Sequence, residues 1–253
     1  MTLLEVRNLS KSFGGLAVAD DLSLRLDPGD RVALIGPNGA GKTSFVNLVT
    51  GQLPPDAGSV HLEGRDITRL SARRRAQMGL VRSFQVTRLF PEMTPAEHIA
   101  LAILQRLGRS TRMFADYRSM PEVMDEVADI LDSLELSALA RQPVGAIAYG
   151  SQRLLEIALA MALRPKVLLL DEPAAGLAGA DIILIEKALA QLPPDLAIVL
   201  IEHDIDFVFR FARRVVVLAA GAIIFDGTPA QAAVDPQVRE AYLGSYADDR
   251  GIA

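Results

Sequence analysis

A glycine-rich segment near the start of the chain has the residue types and spacing of a phosphate-binding loop. It reads GPNGAGKTS and matches the pattern G-x-x-x-x-G-K-[ST]. Glycines reach backbone conformations closed to other residues, so successive N–H groups can surround phosphate oxygens at the start of a helix. Lys42 is predicted to reach the β- and γ-phosphates, Thr43 to bind Mg²⁺, and Ser44 to contact the α-phosphate. The residues predicted to bind a nucleoside triphosphate are Gly36, Pro37, Asn38, Gly39, Ala40, Gly41, Lys42, Thr43 and Ser44.

The flanking sequence distinguishes this segment from an ordinary glycine-rich turn. The apolar run Arg31–Ile35 precedes it, and a helical pattern over Lys42–Thr50 follows it and ends at Gly51. A phosphate loop requires a strand before it and a helix after it. We therefore favour phosphate binding.

Two adjacent carboxylates, Asp171 and Glu172, follow the apolar run Val167–Leu170. The carboxyl ends of parallel strands form the ligand-binding edge of an open α/β sheet. Asp171 is predicted to hold Mg²⁺ through water, and Glu172 to polarise the water that attacks the γ-phosphate. An acidic turn at a strand end is the alternative, and the phosphate loop upstream argues against it.

The elements that position these residues follow from the apolar pattern. Short apolar runs alternate with amphipathic segments, which predicts parallel βαβ units. The first 30 residues and Ser59–Leu62 alternate apolar and polar residues, as in an antiparallel sheet. Pro95–Leu107 and Pro121–Leu134 repeat apolar residues at helical spacing.

We therefore predict an α/β fold with a phosphate-loop nucleotide-binding core, an N-terminal antiparallel β subdomain and an inserted α-helical subdomain. The core is expected to comprise residues 1–86 and 166–253, with the helical subdomain at 87–165. The chain, residues 1–253, is expected to form one domain.

The composition excludes several classes of site. The 253 residues include no cysteine, so disulfides and thiolate metal sites are excluded, and half of them are hydrophobic, enough for a large core. The net charge of −5 argues against a general nucleic-acid binder. We expect no signal peptide at the N-terminus, and the longest apolar runs have the length of strands. We expect a soluble chain that associates with a membrane only through a partner.

The order of these motifs resembles the ATPases of ABC transporters. By this resemblance, Gln85 in SFQ contacts Mg²⁺ and the attacking water, His203 in IEHD contacts the γ-phosphate, and Phe13 stacks on adenine. The signature L-S-G-G-Q of the family aligns with residues 147–151, after which a helix is expected to begin at Gln152. The residues implied to contact the ATP of a partner subunit are Ala148, Tyr149, Gly150, Ser151 and Gln152.

The finer resemblance is to the ATPase subunits of branched-chain amino acid importers. It rests on GLVRSFQVTRLFPEMTPAEHIALA, on LLLDEPAAGL and IEHDIDFV, and on the ending GTPAQAAVDPQVREAYLG. It implies ATP and Mg²⁺ as cofactors, a second and different ATPase subunit, two permease subunits, and indirectly a periplasmic solute-binding protein. The expected location is the cytoplasmic face of the inner membrane. Importers of urea, amides or aromatic acids and non-transport ABC ATPases are the alternatives.

The departures from the family pattern lie on the surface expected to face the partner's nucleotide. Ala148 replaces the signature serine, Ser151 replaces its glutamine, and Ala178 and Gly179 stand where Asn or Asp and then Pro are expected. The residues expected to hold the chain's own nucleotide are intact. We therefore expect two unequal ATP sites in the dimer.

Two other features allow more than one interpretation. The basic run ARRRA at residues 72–76 is interpreted as a solvated helix face. Leu89, Phe90 and Met93 line either a groove for a permease helix or ordinary core. His61 and His98 are assigned no role.

Overall fold

The computed structural model describes residues 2–83, 89–109 and 117–243 of the chain. The strands are β1 (Leu4–Phe13), β2 (Leu16–Leu26), β3 (Arg31–Ile35), β4 (Ala57–Leu62), β5 (Arg65–Asp66), β6 (Leu80–Arg82), β7 (Val167–Asp171), β8 (Ala197–Ile201), β9 (Arg214–Ala219) and β10 (Ala222–Gly227). The helices are α1 (Lys42–Thr50), α2 (Ala72–Gln77), α3 (Pro95–Arg106), α4 (Pro121–Ser133), α5 (Tyr149–Ala162), α6 (Ala180–Gln191), α7 (Ile205–Phe211), α8 (Pro229–Val234) and α9 (Pro236–Val238).

A six-stranded sheet in the order β10-β9-β3-β8-β7-β6 forms the centre of the molecule. The strands from β9 to β6 are parallel, and β10 pairs with β9 in the antiparallel sense. Every residue of β7 and β8 is buried, as expected for strands covered on both faces. Because Asp171 pairs with Ile201, the residues that follow these two strands start side by side at one edge. The predicted fold class is confirmed.

The N-terminal half contributes an antiparallel sheet in the order β2-β1-β4-β5. Its inward-facing leucines and valines share one core with α1 and with β3, β7 and β8. The backbone N–H of Asp20 in β2 donates to the carbonyl of Gly221 at 2.8 Å, which ties this sheet to the turn between β9 and β10. The sheet is therefore held against the phosphate loop rather than standing apart from it.

Helices α3, α4 and α5 lie between β6 and β7 in the chain and pack on one another. Val123, Val127 and Leu131, spaced four residues apart, form the buried stripe of α4. An ion pair joins α3 to α4, with Arg106 Nη1 and Nη2 donating to Glu126 at 2.6 and 2.7 Å. The helical pattern predicted for this region is confirmed, and α3 and α4 each end one residue before their predicted ends.

The interpretation of residues 72–76 as a solvated helix face is wrong for one residue. Arg73 and Arg74 are exposed, but Arg75 is only 1% exposed. Its guanidinium donates to main-chain carbonyls of two segments, and burial lowers its pKa. The acceptors are Leu48 and Val49, at 2.9 and 2.5 Å, and Thr68 and Leu70, at 2.7 and 3.1 Å. Arg75 thus occupies the negative end of the α1 dipole, a position that favours a cation.

Replacing Arg75 by methionine should lower the free energy of unfolding by about 3 kcal/mol, because carbonyls at the end of α1 lose their donors in a buried place. The matched control is Arg74→Met in the next position, whose exposed side chain should change stability by about 0.5 kcal/mol or less. Urea unfolding of both variants measures the difference. Equal midpoints would show that Arg75 does not stabilise α1.

Candidate nucleotide-binding site

The loop between β3 and α1 has a backbone that requires glycine at two places. Gly36 and Gly41 have φ angles of +150° and +104°. A Cβ on Gly36 would lie 2.1 Å from the carbonyl oxygen of Leu218, and one on Gly41 would lie 2.4 Å from that of Val18. The loop is therefore wedged between β9 and β2, and only glycine fits at either contact.

Helix α1 begins immediately after this loop, and no side chain caps its start. The first intrahelical bond runs from the N–H of Phe45 to the carbonyl of Gly41 at 2.8 Å. The N–H groups of Lys42, Thr43 and Ser44 therefore point out of the N-terminus with the positive end of the helix dipole. The Thr43 side chain is exposed at the same end. This arrangement suits an anionic ligand.

Lys42 is folded back across the loop and is only 8% exposed. Its Nζ donates to the carbonyls of Gly36 at 2.6 Å and Pro37 at 3.0 Å. Burial lowers the pKa of the ammonium, and the charges of Glu172 and Asp171 act in the opposite direction. The Lys42 ammonium is thus held at the mouth of the loop by hydrogen bonds to loop carbonyls. Phosphate oxygens of a bound nucleotide could accept the same hydrogen bonds instead.

Asp171 ends β7 and is 7% exposed. It forms an ion pair with Arg82, the last residue of the neighbouring strand β6. The same guanidinium donates to Asn47 Oδ1 at 2.7 Å and to Gln52 Oε1 at 3.3 Å. Its Nε is buried and has no hydrogen-bond partner among the described residues. The sequence analysis missed Arg82, although a charged residue at the carboxyl end of an apolar strand is a signal for this edge.

Glu172 and His203 come together at the same edge. His203 Nε2 lies 2.8 Å from Glu172 Oε1, so an Nε2–H donates to the carboxylate. Glu172 has a φ of +50°, which is rare for a residue with a side chain and is typical of functional sites. Its N–H donates to the carbonyl of Ile201 at 2.8 Å, which holds this conformation. A further carboxylate, Glu202, lies beside the pair and was also missed.

The donor set fits Mg²⁺ only in company with a ligand. Asp171 and Thr43 offer the oxygen atoms that this ion prefers. In the described part of the chain, no three His, Asp or Glu side chains are close enough to hold a metal by themselves. Mg²⁺ commonly binds through one or two protein oxygens together with phosphates and water, so the residues present suit an ion that arrives with a nucleotide.

The signature helix begins earlier than predicted. Helix α5 starts at Tyr149 rather than Gln152, because the carbonyl of Ala148 already accepts the N–H of Gln152 at 3.0 Å. The Gln152 side chain turns back to its own loop and donates to Ile147 O at 3.1 Å. Tyr149 is 48% exposed, and its ring lies 5.1 Å from the guanidinium of Arg153. Of the aligned signature residues 147–151, Tyr149, Gly150 and Ser151 therefore belong to the first turn of the helix, and Ala148 is its N-cap.

The remaining predicted residues lie on other elements or outside the described ranges. Phe13 lies at the end of β1 and is 52% exposed, with Lys11 Nζ 5.4 Å from its ring centroid. Gln85 lies outside the described residues. Ala178 and Gly179 lie just before α6.

The fold and this site define a phosphate-loop nucleotide-binding protein. The family model for ABC transporter matches residues 19–175, and the model described as branched-chain amino acid ATP-binding cassette transporter matches residues 222–248. The chain belongs to the ATP-binding proteins of the ABC transporter family, and it is an ATPase coupled to transport.

Relatives and solved structures agree with this assignment. The chain is 39% identical to the high-affinity branched-chain amino acid transport ATP-binding protein BraF of Pseudomonas aeruginosa, over 96% of this chain and 98% of that one. It is also 39% identical to the corresponding protein LivG of Escherichia coli K12, with the same coverage. The solved ADP conformation of an ATP-binding cassette of an ABC transporter is 31% identical, has a TM-score of 0.85, and matches 96% of this chain and 99% of its own. None of the helices within residues 2–83, 89–109 and 117–243 has the length and hydrophobicity of a membrane-spanning helix.

Replacing Arg82 by leucine should leave Asp171 buried without its cation, and the free energy of unfolding should fall by about 3 kcal/mol in the absence of metal. Mg²⁺ with ATP should then raise the melting temperature more in the variant than in the unaltered chain. The control is Arg210→Leu, which removes a half-exposed partner of Glu186 and should cost about 0.5 kcal/mol. Thermal unfolding with and without Mg-ATP measures both effects, and equal losses in the two variants would contradict the assignment.

Proposed function

We propose that this chain is the ATP-hydrolysing subunit of an importer for branched-chain or other hydrophobic amino acids. The observation that carries the substrate class is the match of residues 222–248 to the branched-chain amino acid cassette model, because this segment lies outside residues 19–175, which match the general ABC transporter model. The names of the relatives BraF and LivG support it. The solute itself is bound by other subunits, so this chain supplies the driving reaction.

We assign each site residue the role that the motifs and the family resemblance imply, and the geometry of the described residues supports part of this assignment. Lys42 leaves the loop carbonyls to bind the β- and γ-phosphates, and the N–H groups at the start of α1 hold phosphate oxygens. Phe13 stacks on the adenine ring. Thr43, Gln85 and Asp171 would hold Mg²⁺, which would neutralise charge on the phosphates when bound. The residues of the phosphate loop are those predicted above.

Glu172 and His203 share the chemical step. Glu172 accepts a hydrogen bond from the attacking water and orients it toward the γ-phosphate, with Gln85 as a second contact to that water. His203 donates to a γ-phosphate oxygen. Since Nε2 of His203 now bonds Glu172, an arriving phosphate competes for that N–H and releases the carboxylate for water. ATP binding thus breaks the hydrogen bond between His203 and Glu172 and leaves both side chains available for the reaction.

The active assembly is a dimer with a second, different ABC ATPase subunit, attached to two permease subunits at the cytoplasmic face of the inner membrane. A periplasmic solute-binding protein delivers the solute, and nucleic acid has no part because the chain is acidic. Residues 1–86 and 166–253 form the nucleotide-binding core, and 87–165 form the helical signature subdomain. In that subdomain Phe90 is 59% exposed, and this exposure supports a contact with a permease helix rather than ordinary core packing. ATP closes the dimer, and hydrolysis opens it.

Glu172→Gln should bind ATP without hydrolysing it, because the amide cannot act as a base, and the closed dimer should accumulate. Light scattering of the variant with and without Mg-ATP measures this directly. Conversion of monomer to dimer supports Glu172 as the base and shows that the altered signature still engages nucleotide. A variant that binds ATP but stays monomeric requires the second subunit. Loss of ATP binding would overturn the assignment of the phosphate loop.

The two sites of the dimer should contribute unequally to transport. In complexes reconstituted into liposomes with both ATPase subunits and the permeases, Lys42→Ala in this chain should reduce leucine uptake by about 100-fold or more. The equivalent lysine change in the second subunit should reduce it by about tenfold or less, because that site depends on the altered signature at Ala148 and Ser151. Uptake of urea measured in parallel is the substrate control. Complete loss of uptake from the second change alone would contradict the asymmetry.

A further inference from the structure

Glu202 is a buried carboxylate at the edge of the site, and none of the roles above belongs to it. It follows Ile201, the last residue of β8, and is only 4% exposed. Burial raises its pKa, and backbone N–H donors act in the opposite direction. Carboxylates are almost never buried to this extent unless paired or hydrogen-bonded, so its contacts call for an explanation.

The two oxygens of Glu202 bind two different loops. Oε1 accepts the N–H of Ala174 at 2.9 Å, in the turn that follows β7 and Glu172. Oε2 accepts the N–H of His203 at 3.0 Å, in the loop that follows β8. A carboxylate accepts at both oxygens, whereas an amide accepts at only one. The side chain therefore fits a bridge between the loops better than any neutral residue of the same size.

This bridge closes a ring of contacts around the catalytic pair. On one side, the side chains of Glu172 and His203 lie 2.8 Å apart. On the other, Glu202 joins the backbone of His203 to Ala174, two residues after Glu172. The backbone bond from Glu172 to Ile201 at 2.8 Å completes the ring. A displacement of His203 therefore pulls on the segment after Glu172 at a defined point.

The turn held by Glu202 leads into a segment that lies near the start of α5, the signature helix. A Cβ on Gly176 would lie 3.6 Å from Cε1 of Tyr149, the first residue of α5. A Cβ on Gly150 would lie 2.6 Å from Oδ1 of Asp181, in the first turn of α6. Gly176 and Asp181 therefore lie close to Tyr149 and Gly150, the first two residues of α5. The segment that follows the turn held by Glu202 thus lies beside the start of the helix proposed to face the partner's nucleotide.

We propose that Glu202 is a positioning residue that transmits a displacement of His203 to residues 174–179 and through them to the N-terminus of α5. The inference rests on the proposed function, since it takes His203 as the group that meets the γ-phosphate. By this route, the state of the chain's own nucleotide alters the surface offered to the nucleotide of the second subunit. A glutamate that only satisfied buried N–H groups would hold the fold and transmit nothing.

Hydrogen exchange of the full chain, with and without Mg-ATP, tests the transmission without requiring hydrolysis or the second subunit. In the unaltered chain, ATP should slow amide exchange about tenfold both around His203 and over residues 174–177. Glu202→Gln keeps the size of the side chain but sets an NH₂ group against one of the N–H donors. This variant should bind ATP with unchanged affinity and keep the protection around His203, while the protection of 174–177 disappears.

Three comparisons make the outcome decisive. His203→Ala, a change at an exposed side chain, should also abolish ATP-induced protection of 174–177. Glu126→Gln neutralises another largely buried carboxylate, in α4, and should leave that protection intact. If Glu202→Gln does not fold, Glu202→Asp replaces it, because the shorter side chain cannot reach both loops and predicts the same loss. Full protection of 174–177 in a folded Glu202 variant overturns the inference, whereas failure of the unaltered chain to bind ATP overturns the proposed function instead.

Discussion

Asp171 is a carboxylate at the end of a strand that is buried along its whole length. The need for a cation to neutralise its negative charge constrains the structure around it. A buried carboxylate without a cation costs several kcal/mol. Arg82 meets this requirement from the adjacent strand end, and Lys42 approaches from the phosphate loop. The order of strands in the sheet thus has an electrostatic consequence: β6 must lie beside β7 for the site to carry its charge.

The same edge explains why the antiparallel sheet belongs to the nucleotide site. The phosphate loop passes within contact of Leu218 in β9 and Val18 in β2, at the two positions where only glycine fits. The loop therefore has its shape because both sheets press on it. At the other end of α1, Arg75 binds the last carbonyls of the helix. The helix that offers its N-terminus to phosphate is consequently held at both ends by buried contacts.

Sequence patterns predict the strands and helices that depend on residues close together in the chain, and these elements make up most of the fold. The strand before the loop and α1 were predicted at their observed bounds because apolar runs and terminal glycines depend on nearby residues. Two contacts of the site join residues that are distant in the chain: the ion pair of Arg82 with Asp171 and the bridge of Glu202 to Ala174. The spacing of residues in the sequence therefore does not predict either contact. Arg75 is the clearest example of what the sequence does not predict. The three consecutive arginines are equivalent in sequence, and only the packing of α2 determines which one is buried. The start of α5 was misplaced because its N-cap, Ala148, carries no capping side chain.

The two faces of the proposed dimer differ in the kind of group that each relies on. The chain's own nucleotide meets side chains at strand ends, whose positions are fixed by hydrogen bonds between neighbouring strands. In the proposed dimer, the partner's nucleotide would meet the first turn of α5, where backbone N–H groups and the helix dipole remain whatever side chains occupy positions 148 and 151. A helix dipole stabilises a nearby charge by about 0.3–1 kcal/mol. This is less than the free energy lost when a hydroxyl no longer donates a hydrogen bond to a charged group. The backbone of α5 would therefore keep only part of the proposed second site after the signature substitutions, whereas loss of any strand-end side chain removes a group that the backbone cannot replace at all.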